Sequence, residues 1–178
     1  MTNFNLQPLL KNEIVKLVPL KQEDFEDLYQ AASDRLIWEQ HPNKNRYQRD
    51  VFKTFFEGAM ESKGAFVIYN NTTNELIGCS RFYAIENKPD AIAIGYTFFA
   101  RSHWGGKYNP ATKALMIEYA FRYVNNIIFH IGATNIRSQK SIEKIGAKKI
   151  AEEDIAYYGE PTKLNFIYQI TKEDWLKA

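Results

Sequence analysis

The sequence predicts an α+β (mixed α/β) fold with a largely antiparallel sheet, and three observations predict it. Between Ala65 and Phe99, three β-rich runs are joined by short polar turns, the pattern of an antiparallel meander. A helical run from Pro110 to about Asn125 then leads into the β-rich run Ile127 to Gly132, and strand-helix-strand order implies a crossover and a parallel pair. Between meander and helix stand two consecutive glycines, Gly105 and Gly106, followed by Asn109-Pro110. Such a turn brings backbone close to a ligand and feeds directly into a helix start.

The elements follow in order. Glu13 to Leu20 is β-rich and closed by Pro19-Leu20, and Gln22 to Ala32 sets Phe25, Leu28 and Tyr29 at helical spacing. Trp38 to Pro42 and the polar Asn43 to Arg46 read as a loop. Val51, Phe52, Phe55, Phe56 and Ala59 then mark a second amphipathic helix. The meander strands are Ala65 to Tyr69, Glu75 to Ile85 and Ala91 to Phe99. Gly95 interrupts the last of them, and a lone strand glycine marks a bulge or a close approach. In the third helix Ala114, Ile117, Phe121 and Val124 form one stripe. A fourth helix, Asn135 to Ile145, stops at Gly146, and strands near Lys149 to Tyr157 and Lys163 to Ile170 complete seven. Thr171 to Trp175 has a capping-box start and reads as one short helical turn. With no repeat, linker or low-complexity tract, residues 1–178 are expected to form one domain.

Composition narrows the function. Hydrophobic residues at 45% and charged residues at 25% are ordinary globular values. A net charge of +2 is too small to call for nucleic acid or an acidic membrane surface as partner. The single cysteine, Cys79, lies in a strand and reads as a core thiol in a reducing compartment. The first residues show no basic leader, and no apolar run approaches the ~20 residues of a membrane span, so a cytoplasmic protein is expected. The histidines, at 41, 103 and 130, have no metal-ligand spacing, and no metal is expected. Oligomeric state stays open between monomer and homodimer.

The Gly105-Gly106 turn is the chemical centre of the sequence. With Asn109 as N-cap and Pro110 as first helical residue, free amides and the helix dipole would attract a phosphate or pyrophosphate. The same pattern also occurs in loops that bind nothing.

Taken with its order of elements, the chain resembles the GNAT acyltransferase superfamily, closest to its RimJ/RimL-like branch of N-acetyltransferases. Trp104-Gly105-Gly106-Lys107-Tyr108-Asn109, Ala120-Phe121, and Asn135-x-x-Ser138 with Glu143-Lys144-Ile145-Gly146 carry the resemblance. It implies a mixed, mostly antiparallel seven-stranded sheet that splays between its fourth and fifth strands and is flanked by about four helices. Acetyl-CoA would enter the opening as co-substrate. It further implies that backbone at Ile94, Gly95 and Tyr96 holds the thioester arm, that Trp104 to Asn109 holds the pyrophosphate, and that Asn135 and Ser138 touch the arm. Lys107 stands where the family has its second glycine, and Ala111 to Ala114 replaces its usual Thr-Glu-Ala.

Direct attack of an amine on the thioester needs an oxyanion donor and a proton for the thiolate. The amide near Tyr96 is the expected donor. Ser138 is the expected acid, with Tyr157 or Tyr158 as an alternative hydroxyl, and Ser138 equally suits a helix cap. Trp38 and His41, with Tyr47, fall where the family walls its acceptor pocket; Phe82 or Tyr83 would stack from the sheet. Arg101, Arg137, Lys140 and Lys144 are candidates for the 3'-phosphate. The expected function is acetyl transfer to a primary amine, on a small molecule or a protein N-terminus. The alternatives are an inactive CoA-binding module and a nucleotide-binding protein, the latter without any Walker or dinucleotide glycine motif.

Overall fold

The computed structural model describes residues 4–177; residues 1–3, part of the stretch read for a leader, lie outside it, as does residue 178. One mixed sheet contains eight strands: β1 (Leu10–Lys11), β2 (Val15–Pro19), β3 (Ala65–Asn70), β4 (Leu76–Ala84), β5 (Ala91–Phe99), β6 (Asn126–Gly132), β7 (Lys148–Ile155) and β8 (Lys163–Thr171). Their order is β1-β2-β3-β4-β5-β6-β8-β7. All neighbours run antiparallel except β5 and β6, the predicted parallel pair.

The eighth strand corrects the expected seven. Leu10 and Lys11 pair with Leu17 and Lys16 because the Asn12 side chain accepts from the amides of Ile14 and Val15 and folds the chain back. Two residues show no alternation, so periodicity could not reveal the strand.

The described residues hold six helices: α1 (Phe25–Ala32), α2 (Arg35–Trp38), α3 (Arg49–Glu61), α4 (Tyr108–Ala120), α5 (Ile136–Glu143) and α6 (Lys172–Lys177). Against the expected four, the additions are α6, read as a turn, and α2, read as loop. A single turn, α2 is capped by Asp34, whose side chain accepts from the Leu36 amide. No described helix is long and apolar enough to cross a membrane.

The core lies on both faces of the sheet. On one face α4 packs Met116, Ile117, Ala120 and Phe121 against Phe82, Ile92, Ile94 and Phe129. On the other, α1 to α3 bury Leu28, Trp38, Phe52, Phe55 and Phe56 against Val67, Cys79 and Phe98.

Two local features shape the middle of the sheet. The bulge expected at Gly95 falls one residue later: Arg81 pairs with Gly95 and Cys79 with Phe98, so Ser80 opposes both Tyr96 and Thr97. Tyr96 takes the extra position with φ of 54°, a left-handed conformation that costs a non-glycine residue about 1–3 kcal/mol. Gly95 itself supplies clearance, since a Cβ there would lie 3.1 Å from the Tyr83 ring. Before the bulge, β5 leaves β6. Pairing is confined to Ala91↔Asn126, Ile92↔Ile127 and Ala93↔Ile128, although β5 continues to Phe99 and β6 to Gly132.

Candidate active site

The unpaired ends of β5 and β6 open into a cavity of about 940 Å³. This volume suits a large ligand, since small-molecule pockets span about 300–1,000 Å³. Its walls are β5 from Ile94 to Phe99, β6 from Phe129 to Gly132, the turn at residues 103–106, and the inner faces of α4 and α5.

The turn forms as expected, but the helix begins earlier. Gly105 adopts φ of +69°, and a Cβ at Gly105 or Gly106 would meet nothing within 4 Å, so their backbone faces open space. Lys107 already has helical angles (φ −78°, ψ −15°) and is the N-cap of α4. Asn109 is therefore not the predicted cap: it lies inside the first turn, where Nδ2 donates to Ser141 Oγ at 2.8 Å. Pro110 also sits within that turn, where a missing amide hydrogen costs no helical bond.

Trp104, Gly105, Gly106 and Asn109 line the cavity, whereas Lys107 and Tyr108 do not. The Lys107 residue is exposed, and the Tyr108 hydroxyl accepts from Asn70 Nδ2 at 3.1 Å. Trp104 is fixed by its indole, which donates to the Phe99 carbonyl at 2.9 Å, and by the Arg137 guanidinium 4.2 Å from its ring.

Across the opening, Asn135 caps α5 by accepting from the Ser138 amide at 3.1 Å, and both residues line the cavity. Ile94, Gly95 and Tyr96 line it from β5, and His41, Tyr83 and Tyr157 line its other end. Trp38 does not. It is 1% exposed, donates its indole hydrogen to the Ala32 carbonyl, and stands behind His41 with ring centres 4.9 Å apart. Trp38 shapes the wall through His41 because α2 turns its ring into the core. Tyr158 is likewise outside the cavity, 43% exposed and bonded to Glu61. Arg101 pairs with Asp34 at 3.4 Å instead of facing the cavity, while Arg137, Lys140 and Lys144 line it.

The electrostatics of the wall are one-sided. Arg46, Lys113, Arg137, Lys140, Lys144 and all three histidines line the cavity, and no aspartate or glutamate does. Arg46 is balanced from behind by Glu160, which accepts from Nε and Nη2 at 2.9 Å each. This buried pair ties the loop between β7 and β8 to the loop before α3. Burial first, then the charges of Arg46 and Arg137, hold His41 down at about 3, so it is neutral at physiological pH. Burial also lowers His130, whose Nδ1 lies 3.0 Å from the Tyr83 hydroxyl, and brings Lys113 down to about 7. Tyr157 is pushed up by burial and donates to Asn165 Oδ1. Cys79, fully buried, is raised to about 12 and stays a thiol.

Sequence reasoning missed Lys113, Arg46 and His130 as wall residues. Lys113 had a signal: it stands one turn before Ile117 on the apolar stripe of α4, where a charge is out of pattern. Arg46 and His130 had none, because only the tertiary arrangement brings a loop residue and a strand residue to one cavity.

A mixed sheet parted beside an amide-rich turn, with a basic, carboxylate-free wall, defines a class: a fold with room for a long anionic ligand between two of its own strands. The model for the acetyltransferase (GNAT) domain family matches residues 15–148, and the chain belongs to that family. It is an acetyltransferase by fold and family. No curated protein sequence matches it. Among solved structures it is similar to a GCN5-related N-acetyltransferase from Brucella melitensis (TM-score 0.79, 16% identity, 96% of this chain and 81% of that one). It is also similar to Mycobacterium smegmatis RimJ in complex with CoA-disulfide (TM-score 0.68, 18% identity, 89% and 82%). A third is spermidine N-acetyltransferase from Vibrio cholerae in complex with CoA and spermine (TM-score 0.68, 15% identity, 93% and 99%).

Proposed function

We propose that the 178-residue chain is one RimJ/RimL-like N-acetyltransferase domain that moves an acetyl group from acetyl-CoA to a primary amine by direct attack. The observation that carries this is the parting of β5 from β6 after Ala93 and Ile128, shortly before a bulge, beside a turn of unobstructed glycines and a wall without carboxylates. Backbone at Gly105, Gly106 and Asn109 would hold the pyrophosphate at the start of α4, and Arg137, Lys140 and Lys144 the remaining phosphate. The freed edge of β5, from Ile94, Gly95 and Tyr96 on to Phe99, would hold the thioester and its arm as a neighbouring strand would, and an amide at the bulge would meet the carbonyl oxygen.

Asn135 and Ser138 approach the arm from α5, with the Ser138 hydroxyl as a hydrogen-bond donor to it. Tyr157 is a poor acid, because burial raises it and its proton is committed to Asn165. The acceptor enters past His41 and Tyr83. Held at about 3, His41 is a poor base, which leaves His130 and water to take the amine proton. The buried Cys79 thiol supports a route without a covalent intermediate. Lys107, with its ordinary φ of −78°, gives the inactive-module reading no support.

The test is a thermal-shift comparison of acetyl-CoA, CoA and ATP, followed by thiol release across a panel of small amines and N-terminal peptides. A ligand at 100 times its dissociation constant stabilises by about 2.7 kcal/mol. Stabilisation by CoA and acetyl-CoA with thiol release for at least one amine is expected. Stabilisation by ATP alone would overturn the proposal.

A further inference from the structure

Lys113 lies on the face of α4 turned toward the sheet, 6% exposed and on the cavity wall. Its ammonium donates to Thr97 Oγ1 at 2.8 Å and lies 5.7 Å from the centre of the Phe129 ring. No ion-pair partner stands among the described residues. The titratable groups on neighbouring elements are Tyr96 on β5, His130 on β6, Lys140 and Lys144 on α5, and His103 in the turn, none of them a carboxylate. A buried cation with one neutral partner is destabilising, and an unbranched apolar side chain would fill the same space more favourably.

Its position along β5 is specific. Thr97 follows the bulge residue Tyr96, and its hydroxyl lies 2.8 Å from Ser80 Oγ and 3.5 Å from the Gly95 carbonyl. Lys113 thus abuts the stretch of β5 between the bulge, where the thioester carbonyl is placed, and Phe99, which leads to the phosphate turn. The sulfur of a thioester held at both points lies along that stretch.

We infer that Lys113 is the acid that protonates the departing thiolate of CoA, an inference that rests on the acyl-transfer function proposed above. As the acceptor nitrogen bonds to the acyl carbon and the carbon–sulfur bond breaks, the sulfur takes a proton from Lys113 Nζ and leaves as a thiol. Lys113 is left as a neutral amine. The surplus proton on the acceptor nitrogen passes to water, and Lys113 regains one from solvent when the thiol departs. Burial brings the ammonium to about 7, below a thiol's ordinary value of about 8.5, so the transfer runs downhill. The Ser138 hydroxyl hydrogen-bonds the arm but is not the net proton source.

The direct experiment needs no acceptor: the thiolate absorbance of bound CoA is titrated against pH in the wild type, Lys113→Met and Lys113→Arg. Because Lys113 loses its proton before the thiol does, the wild-type thiol should titrate near its free value, as in Lys113→Met. The permanent cation of Lys113→Arg, placed beside the sulfur, should lower the bound thiol by about one pH unit or more, with circular dichroism confirming that both variants fold. In turnover, kcat of the wild type should fall as pH rises through the Lys113 titration. Lys113→Arg should lack that fall, Ser138→Ala should keep it, and Lys113→Met should lose about 100-fold in kcat with little change in KM for acetyl-CoA. A Lys113→Arg complex whose thiol titrates at its free value, or a wild-type kcat that does not fall through the Lys113 titration, overturns the inference and leaves acyl transfer standing. Failure of the wild type to bind CoA overturns both.

Discussion

Gly106 is the most direct single-residue test of the phosphate turn. A Cβ there meets nothing, so Gly106→Glu should fold normally and still weaken acetyl-CoA binding by about tenfold or more, about 1.4 kcal/mol, read by calorimetry. Unchanged affinity would place the phosphates elsewhere. His41 makes a prediction of opposite character, about stability. Its pKa in the folded chain, about 3, lies below the ordinary 6.5, so the unfolded chain binds the extra proton as pH falls. Stability should therefore drop between about pH 6.5 and pH 3, and His41→Gln should flatten that slope in urea denaturation at pH 7 and pH 5. At this scale the sequence was partly legible. Gly105 and Gly106 announce themselves through backbone preference and Asn135 through the family resemblance, and each lines the cavity. Trp38 does not, because whether a tryptophan walls a pocket or packs behind it depends on the single turn of α2, which no periodicity reveals.

Among the elements, β5 carries the most consequence. Its glycine signalled an irregularity, but the left-handed residue is Tyr96, whose ring is held between the Arg81 guanidinium at 3.8 Å and the Tyr157 ring at 5.6 Å. Stacking overrides the backbone preference there, and sequence alone cannot weigh the two. Helix α4 shows the same limit. Asn109-Pro110 is a good start signal, yet Lys107 adopts helical angles and the helix begins at Tyr108. On α5, where Asn135 and not Ser138 is the cap, Ser138→Ala should lower turnover more than affinity. Steady-state kinetics with a CoA binding isotherm would show it, and equal losses in both would make Ser138 a binding residue only. The loop between β7 and β8 offers a further test. Arg46→Met would leave Glu160 buried without its partner and should cost about 3–5 kcal/mol in chemical denaturation, most of it recovered in Arg46→Met/Glu160→Leu.

For the whole molecule, the meander and the parallel pair were legible because the crossover helix and the turn residues agree, whereas the insertion of β8 between β6 and β7 was not. The seven-stranded count fell short by β1, whose two residues are held by an asparagine turn. The basic wall was legible only at Arg137, Lys140 and Lys144 of the α5 segment, because its other members come from β6, α4 and the loop before α3. Only three residue pairs join β5 to β6, so the strands before the crossover and those after it form two half-sheets stapled at one end. Beyond the staple, each edge carries amides that no neighbouring strand occupies. A ligand lying there would complete the ladder, and the protein would then be finished as a sheet only when loaded. Hydrogen exchange near residues 94–98 should therefore slow sharply with acetyl-CoA, while β3 and β4, already paired on both sides, should scarcely respond.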